Sequence, residues 1–499
     1  MPHLLALPTE LLRQIVIEAV SHSNLSKAHG IRFPGIARSR GALFNLSLTC
    51  KSVSEVALSL LYQHLVTHNP PGFNDAVTSM IRTLCTRPNL AAHVTELAVG
   101  GGSWLYFNET NVDWDTVRMR RKWQISPDDA EIFNQCFRDY KIAGTNANNL
   151  SVSADEDGGR SIGLPGPYQI EAIEAPVDAA CDDDWNMEAL SALSGLALIS
   201  SINVQRLIIE SNGWTLPRMV KSSRVMLDKL EEINWSCSDA DAEFTLDSSL
   251  NWVFKAAPAL KKLACVNIRG IRDVNVNNVT ELSLRRSYLY GKSVEEMCKS
   301  FPKLKRLTIE VFERDYLEDD ASPSYIVGCL ARHYETTLTY LKLDWSEAWS
   351  LEFMDLELET PHLKSLSALQ VMKALAELVV VSPLSHRIEE PEESEESFWS
   401  CLLPPNLEVL RLEGCNDAWN SLPLLSAIKS KCEKMEKVTM ECRSPPGDAT
   451  ELQSLQETGS VGFEFEYKLT PTAAPQVDSD AESQESDDSE NSGGRSDGI

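Results

Sequence analysis

The sequence predicts an α/β protein in three parts: a small N-terminal unit of three helices, an irregular solenoid of short strands alternating with helices or loops, and a disordered acidic C-terminal tail. Three observations carry this expectation. "LPTELLRQIVIEAV", Leu7 to Val20, places apolar residues at helical spacing. From Val94 onward one short pattern keeps returning: apolar, two residues, apolar, one residue, apolar. After about Pro471 the chain becomes low in complexity, and its last stretch, "VDSDAESQESDDSENSGGRSDGI", holds eight Asp and Glu, one Arg and no aromatic residue. At 499 residues the chain exceeds the roughly 100 to 200 residues of one compact domain, so several units or an extended array are expected.

The first helix opens on Pro8, which suits a first helical turn, with Glu10 near the positive end of the helix dipole. Leu11, Leu12, Ile15, Val16, Ala19 and Val20 follow as one stripe, opposite Glu10, Arg13, Gln14 and Glu18. A second block, "LFNLSLTCKSVSEVALSLLYQHL" from Leu43 to Leu65, reads as a short helix and a longer one whose stripe is Val53, Val56, Ala57, Leu60, Leu61 and Leu65. The polar, basic stretch between the blocks, Ser21 to Gly41, is broken by Gly and Pro and reads as a loop. Met1 to Leu65 carries six Lys and Arg against three Glu, a basic patch on an acidic chain that steers an acidic partner toward it.

The order "LPTELLRQI", then "LSLTCKS", then a helix ending in "LLYQHL" resembles the F-box. That resemblance implies docking on the Skp-type adaptor of an SCF (cullin-RING) ubiquitin ligase. The residues it carries over are Leu7, Pro8, Leu11, Leu12, Ile15, Leu46, Leu48, Cys50 and Lys51. The spacing between the Leu-Pro opening and the Thr-Cys centre is longer than the family's compact form, and the loop after Ser21 holds the excess.

The recurring pattern has ten clear copies: "VTELAV" (94), "VQRLII" (204), "LEEINW" (230), "LKKLAC" (260), "VTELSL" (279), "LKRLTI" (304), "LTYLKL" (338), "LAELVV" (375), "LEVLRL" (407) and "MEKVTM" (435). After a first gap of 110 residues the spacings are 26, 30, 19, 25, 34, 37, 32 and 28. The array resembles leucine-rich repeats, in which each unit contributes one short strand and a helix or loop, and stacking buries side chains that no single repeat can bury. Segments such as "VEEMCKSFPKL" and "LSAIKSKCEKM" supply helices between strands, and "EEPEESEES" reads as a solvated loop. Alternation along each strand leaves one set of side chains on an open face for a target: Glu281, Ser283, Arg285; Arg306, Thr308, Glu310; Tyr340, Lys342, Asp344; Val409, Arg411, Glu413. Of these, Arg285, Arg306, Tyr340, Lys342, Asp344 and Arg411 are the expected target contacts, because a face of mixed charge suits protein recognition better than a small apolar ligand.

Residues 101 to 190 fit no repeat; they include a helix predicted from Pro127 to Tyr140 and a polar, Gly-rich insertion. "ALSALSGLALISSINV", about 16 residues long, falls short of a membrane span and reads as a buried helix leading into a strand. The resulting organisation is 1–66 helices, 67–200 first repeat strand with insertion, 201–468 solenoid and 469–499 tail. Within the tail, Ser479 is a candidate for acid-directed phosphorylation.

The balance of 73 Asp and Glu against 46 Lys and Arg, a formal charge of -27, argues against non-specific nucleic-acid binding by the chain as a whole. Arg118, Arg120, Arg121 and Lys122 in "MRRKW" stand among acidic neighbours. Twelve cysteines are scattered singly without a Cys-x-x-Cys pair, as expected of reduced thiols in the cytoplasm or nucleus. No phosphate-binding Gly-rich loop, Gly-x-Ser-x-Gly elbow or paired-His zinc motif is present, so neither a cofactor nor a metal is expected. The expectation is a non-catalytic receptor that joins a target to a Skp-type adaptor and through it a cullin, with neither nucleic acid nor membrane as partner. The alternative is a scaffold whose N-terminal helices only cap the solenoid.

Overall fold

The computed structural model describes residues 7–21, 34–66, 74–100, 126–140, 193–211, 225–237, 244–246, 251–287, 289, 291–311, 323–346, 363–381, 399–400, 402–415, 421–442 and 462–469. The acidic segment Glu389–Ser397, the "MRRKW" stretch, Ser479 and the rest of the tail lie outside them.

The N-terminal unit is α1 (Thr9–Ser21), α2 (Pro34–Ser47) and α3 (Lys51–Leu61). The loop expected from Ser21 to Gly41 is overturned in its second half, because α2 already begins at Pro34. A proline at the first helical position has its φ preset and gives up an N–H that would have no helical partner, so it starts the helix rather than breaking it. The stripe predicted for α1 divides as well. Leu12 and Val16 are buried with Leu43, Val53, Val56 and Ala57 in a core of their own, whereas Leu11 and Ile15 face outward. The third helix stops at Leu61, so Leu65 is no part of its stripe: it sits in a strand and belongs to the larger core.

That strand, β1 (His64–Val66), opens a sheet of twelve strands paired in parallel, which continues through β2 (Glu96–Gly100), β3 (Arg206–Ser211) and β4 (Glu232–Cys237). Strand β5 (Phe244–Leu246) leaves it, β6 (Lys262–Val266) rejoins it, and β7 (Ile268–Ile271) pairs with β5 as a second small sheet. The large sheet then runs through β8 (Glu281–Ser287), β9 (Arg306–Val311), β10 (Tyr340–Asp344), β11 (Glu377–Val381), β12 (Val409–Cys415), β13 (Lys437–Cys442) and β14 (Glu464–Leu469). Each strand neighbours the next in chain order apart from the β5/β7 excursion. A long parallel sheet built in this way is consistent with a repeat solenoid.

The ten sequence copies coincide with strands β2, β3, β4, β6 and β8–β13, and the register shows why their spacing matters. Leu97, Leu207, Ile233, Leu263, Leu282, Leu307, Leu341, Leu378, Leu410 and Val438 are successive partners across the sheet and all are buried. The first residue of each copy is buried too, three residues earlier, where the chain enters the strand. One backbone device repeats at this entry. The carbonyl of Thr95 accepts the N–H groups of Gln205 and Arg206, that of Lys261 accepts those of Thr280 and Glu281, and that of Thr339 accepts those of Ala376 and Glu377. A side chain repeats it: the Asn203, Asn278 and Asn406 amides, each just before a first apolar residue, donate to the Ala92, Pro258 and Lys373 carbonyls of the preceding strand unit at 2.8 to 3.0 Å. Buried polar backbone must find partners, and these bonds hold register through repeats of unequal length.

Helices cover the core side: residues 193–200, all buried, lead into β3 as expected of the apolar run, and Gly291–Ser300, Pro323–Tyr334 and Ser421–Lys431 follow β8, β9 and β12. Tyr334 is fully buried with its hydroxyl donating toward the Cys298 and Phe301 carbonyls at 3.3 and 3.2 Å. The predicted helix is present as Pro127–Asp139, with Ser126 capping it through the Asp129 N–H. It is clamped to α4 (Asn74–Thr86) by the Arg82 guanidinium, which binds both carboxylate oxygens of buried Asp129.

Candidate interaction surfaces

Two surfaces follow from this architecture. On the N-terminal unit, Leu12 is core, and Leu7, Leu46 and Cys50 are half-buried against that core. Pro8, Leu11, Ile15, Leu48 and Lys51 are exposed. The exposed positions are large and apolar: Leu11 at 47%, Ile15 at 41% and Leu48 at 69% exposure, joined by Phe44 at 53%, which sequence reasoning missed. Leu11 and Ile15 are one turn apart on α1 and share a helix face, whereas Phe44 lies in the last turn of α2 and Leu48 in the turn directly after it. The Phe44 signal was its place four residues before Leu48. Ile17 is exposed as well, on a different side of α1 from Ile15. Elsewhere among the described residues only Ile202, Met226 and Val371 are large, apolar and exposed, and they are separated along the chain. Exposed apolar area is therefore concentrated on the helices.

The turn that presents Leu48 is stiff. Ser47 Oγ donates to the Phe44 carbonyl at 2.6 Å and Thr49 Oγ1 to the Leu46 carbonyl at 2.7 Å, and Cys50, in extended backbone, leads into α3. Arg13 on α1 reaches over to donate to Gln63 Oε1 at 3.0 Å.

On the open face of the sheet the first outer row alternates in charge, strand by strand, from β2 to β9: Glu96, Arg206, Glu232, Lys262, Glu281, Arg306, with His64 of β1 next to Glu96 at its end. His64 lies 3.5 Å from Glu96, Arg206 3.6 Å from Glu96 and 3.0 Å from Glu232, and Lys262 3.2 Å from Glu281. The hydrogen bond to His64, with the His64 and Arg206 charges, holds the Glu96 carboxyl below the ordinary glutamate value against the opposing effect of burial. Side chains on neighbouring parallel strands stand close enough for like charges to repel, so alternation stabilises the row and directs its charge inward.

The predicted target contacts divide accordingly. Lys342 lies 3.5 Å from Asp344, and Asp344 is buried, accepting from the Ser346 N–H at 3.0 Å and hydroxyl at 2.7 Å, so it closes a turn. Arg411 lies 3.6 Å from Glu377. Arg306 is exposed and stacked on half-buried Tyr340, 3.9 Å from the ring centroid. Arg285 is exposed at the end of β8. The structure places Tyr340, Arg306 and Arg285 on adjacent strands and separates them from Arg411.

Buried thiols are core groups here: burial pushes Cys265 and Cys298 up to about 12 and Cys432 up to about 11. Among the described residues no cluster of three or more His, Cys, Asp or Glu is placed to hold a metal ion, and no helix is long and apolar enough to cross a membrane. No family model matches the chain, and a search of curated proteins finds no match. Among solved structures the chain is similar to a TLR13–ssRNA13 complex, at 17% identity and a TM-score of 0.31, over 55% of this chain and 34% of that one, so it spans about a third of that protein's length.

Proposed function

We propose that the protein is the substrate-recognition subunit of an SCF-type ubiquitin ligase, an F-box protein with degenerate leucine-rich repeats. The N-terminal helices dock on a Skp-type adaptor and through it a cullin, the open strand face binds a target protein, and ubiquitin transfer is carried out by other subunits. The chain itself is not an enzyme; it raises the effective concentration of target beside the charged conjugating enzyme. One observation supports this reading most: a helical unit with its own core exposes Leu11, Ile15 and Leu48, at positions the F-box resemblance assigns to the adaptor, while Leu12 stays inside. A unit that served only to cover the solenoid end has no need of such residues in water.

One observation favours the second reading, a scaffold whose helices only cap the solenoid. Tyr62, directly after α3, packs against the large core. Co-purification with a Skp-type adaptor separates the two. The intact chain retains the adaptor, whereas Leu11→Asp with Ile15→Asp, and a chain lacking residues 1–61, lose it. Failure of the intact chain to retain the adaptor overturns the receptor reading.

A further inference from the structure

Two cations on neighbouring strands of the open face, Arg285 and Arg306, are not neutralised within the sheet. Among the described residues neither Arg285 nor Arg306 has a carboxylate partner. Glu281, the acid beside Arg306 in the outer row, is drawn to Lys262 on its other side at 3.2 Å, and Arg306 instead lies over Tyr340. Stacking holds a guanidinium by its face and leaves its N–H edge for an oxyanion. Between the two arginines the next outer positions are Ser283 on β8 and its register partner Thr308 on β9. The Ser283 hydroxyl is buried and has no hydrogen-bond partner.

Arg285 is held firmly. Its carbonyl accepts the Asn267 N–H at 3.0 Å and the Ser287 hydroxyl at 2.9 Å. Asn267 and Arg286 on either side of this junction both adopt left-handed backbone, with φ of 58° and 48°. Non-glycine residues occupy that region at a cost, and such costs concentrate where a side chain must be aimed. Glu310, on β9 near Arg285, is itself engaged.

Arg285 lies four residues beyond the Arg306 level, a rise of about 13 Å along the strands. We propose that Arg306, Ser283, Thr308 and Arg285 form a binding site for an extended acidic segment of the target protein, whose two anionic groups stand four residues apart. This rests on reading the strand face as the target surface. An extended peptide matches the spacing because its own rise per residue is that of a strand, and each arginine takes a carboxylate or a phosphate by paired N–H groups. The hydroxyls between them supply donors and acceptors to the peptide backbone.

The test uses the full chain and fluorescently labelled nine-residue peptides in a Ser/Ala background, read by anisotropy. One carries Glu at positions 3 and 7, one phosphoserine there, one Gln there, and one Glu at positions 3 and 5. At least one of the two anionic peptides with the four-residue spacing binds, and the one that binds more tightly identifies the anion. The Gln and short-spacing peptides bind at least tenfold more weakly. Arg285→Gln and Arg306→Gln each weaken binding about tenfold or more, Tyr340→Leu weakens it by loss of the stacking platform, and Lys299→Gln, on the Gly291–Ser300 helix that covers the core side, leaves it within about twofold. The arginines are exposed, so these variants keep the wild-type circular-dichroism melt. Absence of binding in both anionic arms, or equal binding by the Arg285→Gln, Arg306→Gln double variant, overturns the proposal. Adaptor co-purification of the same variants is unchanged; an intact chain that retains the adaptor but binds neither anionic peptide refutes this site alone, and one that binds the peptide but does not retain the adaptor refutes the docking reading alone.

Discussion

Leu12→Ala melts the N-terminal helices while leaving the solenoid folded. Leu12 is 4% exposed and belongs to a core that also holds Val16, Leu43, Val53, Val56 and Ala57 and is separate from the main one. Removing the outer carbons of a buried leucine costs roughly 2 to 5 kcal/mol, the spread set by how far neighbours collapse into the cavity. A helical unit of this size has only a few kcal/mol of stability of its own, on the order of 0.1 kcal/mol per residue. A cost near 3 kcal/mol therefore takes most of it and speeds amide exchange in α1 to α3 by about a hundredfold. Hydrogen exchange read by mass spectrometry resolves this, because peptides from residues 9–61 lose protection while those from β3 to β13 keep theirs. Leu282→Ala in the middle of the sheet gives the reciprocal pattern. If peptides from β2 to β4 lose protection as much as the helices do in the Leu12 variant, the two cores unfold as one and the separation argued from burial is wrong.

Three further outcomes are expected. Burial alone pushes the Asp129 carboxyl up, but hydrogen bonds from Arg82 and Ser126 and the Arg82 charge outweigh it and hold Asp129 below the ordinary aspartate value. Its stabilising contribution is therefore fully present above about pH 4 and lost as pH falls toward the depressed native value, so in thermal melts Asp129→Asn is less stable by about 1 to 3 kcal/mol at neutral pH and has a flatter acid limb. Equal slopes in both proteins refute this. At Gly270 an added Cβ would stand 2.8 Å from Ser293 Oγ, so Gly270→Ala destabilises by about 1 to 3 kcal/mol and Ser293→Ala restores part of the loss; additive behaviour in urea melts refutes the contact. Arg206→Glu sets three acids in succession between β2 and β4, lowering stability by about 1 to 2 kcal/mol at low salt, and the loss shrinks in 1 M NaCl; a salt-independent loss shows that the row is not electrostatic.

Much of the strand array is legible from sequence because one physical requirement, burying a first apolar residue and the third and fifth after it, repeats at each turn. Its two ends are less so. Strand β1 has only three residues and hides behind a helical pattern, since Leu65 falls in phase with α3. Strand β14 lacks the leading apolar residue, though the alternation in "FEFEYK" from Phe463 signals a period of two. The Asn before Val204, Val279 and Leu407 was visible in the sequence, but its meaning needs the carbonyl of another repeat. Burial on α1 departs from the predicted stripe for a geometric reason. Leu11 and Leu12 are adjacent, so they point 100° apart, and a stripe wide enough to contain both includes residues that a narrow three-helix core cannot cover. Which cations on the open face are spent on neighbours is likewise invisible without register, because Arg206 and Arg306 look alike in sequence and differ only in having acids on both sides or a tyrosine on one.

The junction between the two surfaces follows from the same register. Only two residues, Tyr62 and Gln63, separate the end of α3 from β1, and Gln63 is bound from both sides: its carbonyl accepts the Thr95 and Glu96 N–H groups at 3.0 Å each, and its side chain accepts from Arg13 on α1. A connection of this length, tied into the first turn of the solenoid, gives the helical unit little freedom to swing relative to the sheet. In the proposed role that stiffness has a use, since a target held near β8 to β10 is presented at a distance from the helices set by the number of strands between, about 4.8 Å for each. The degenerate repeat lengths leave that distance intact, because insertions enter between strands while the ladder of paired carbonyls keeps the strands in register.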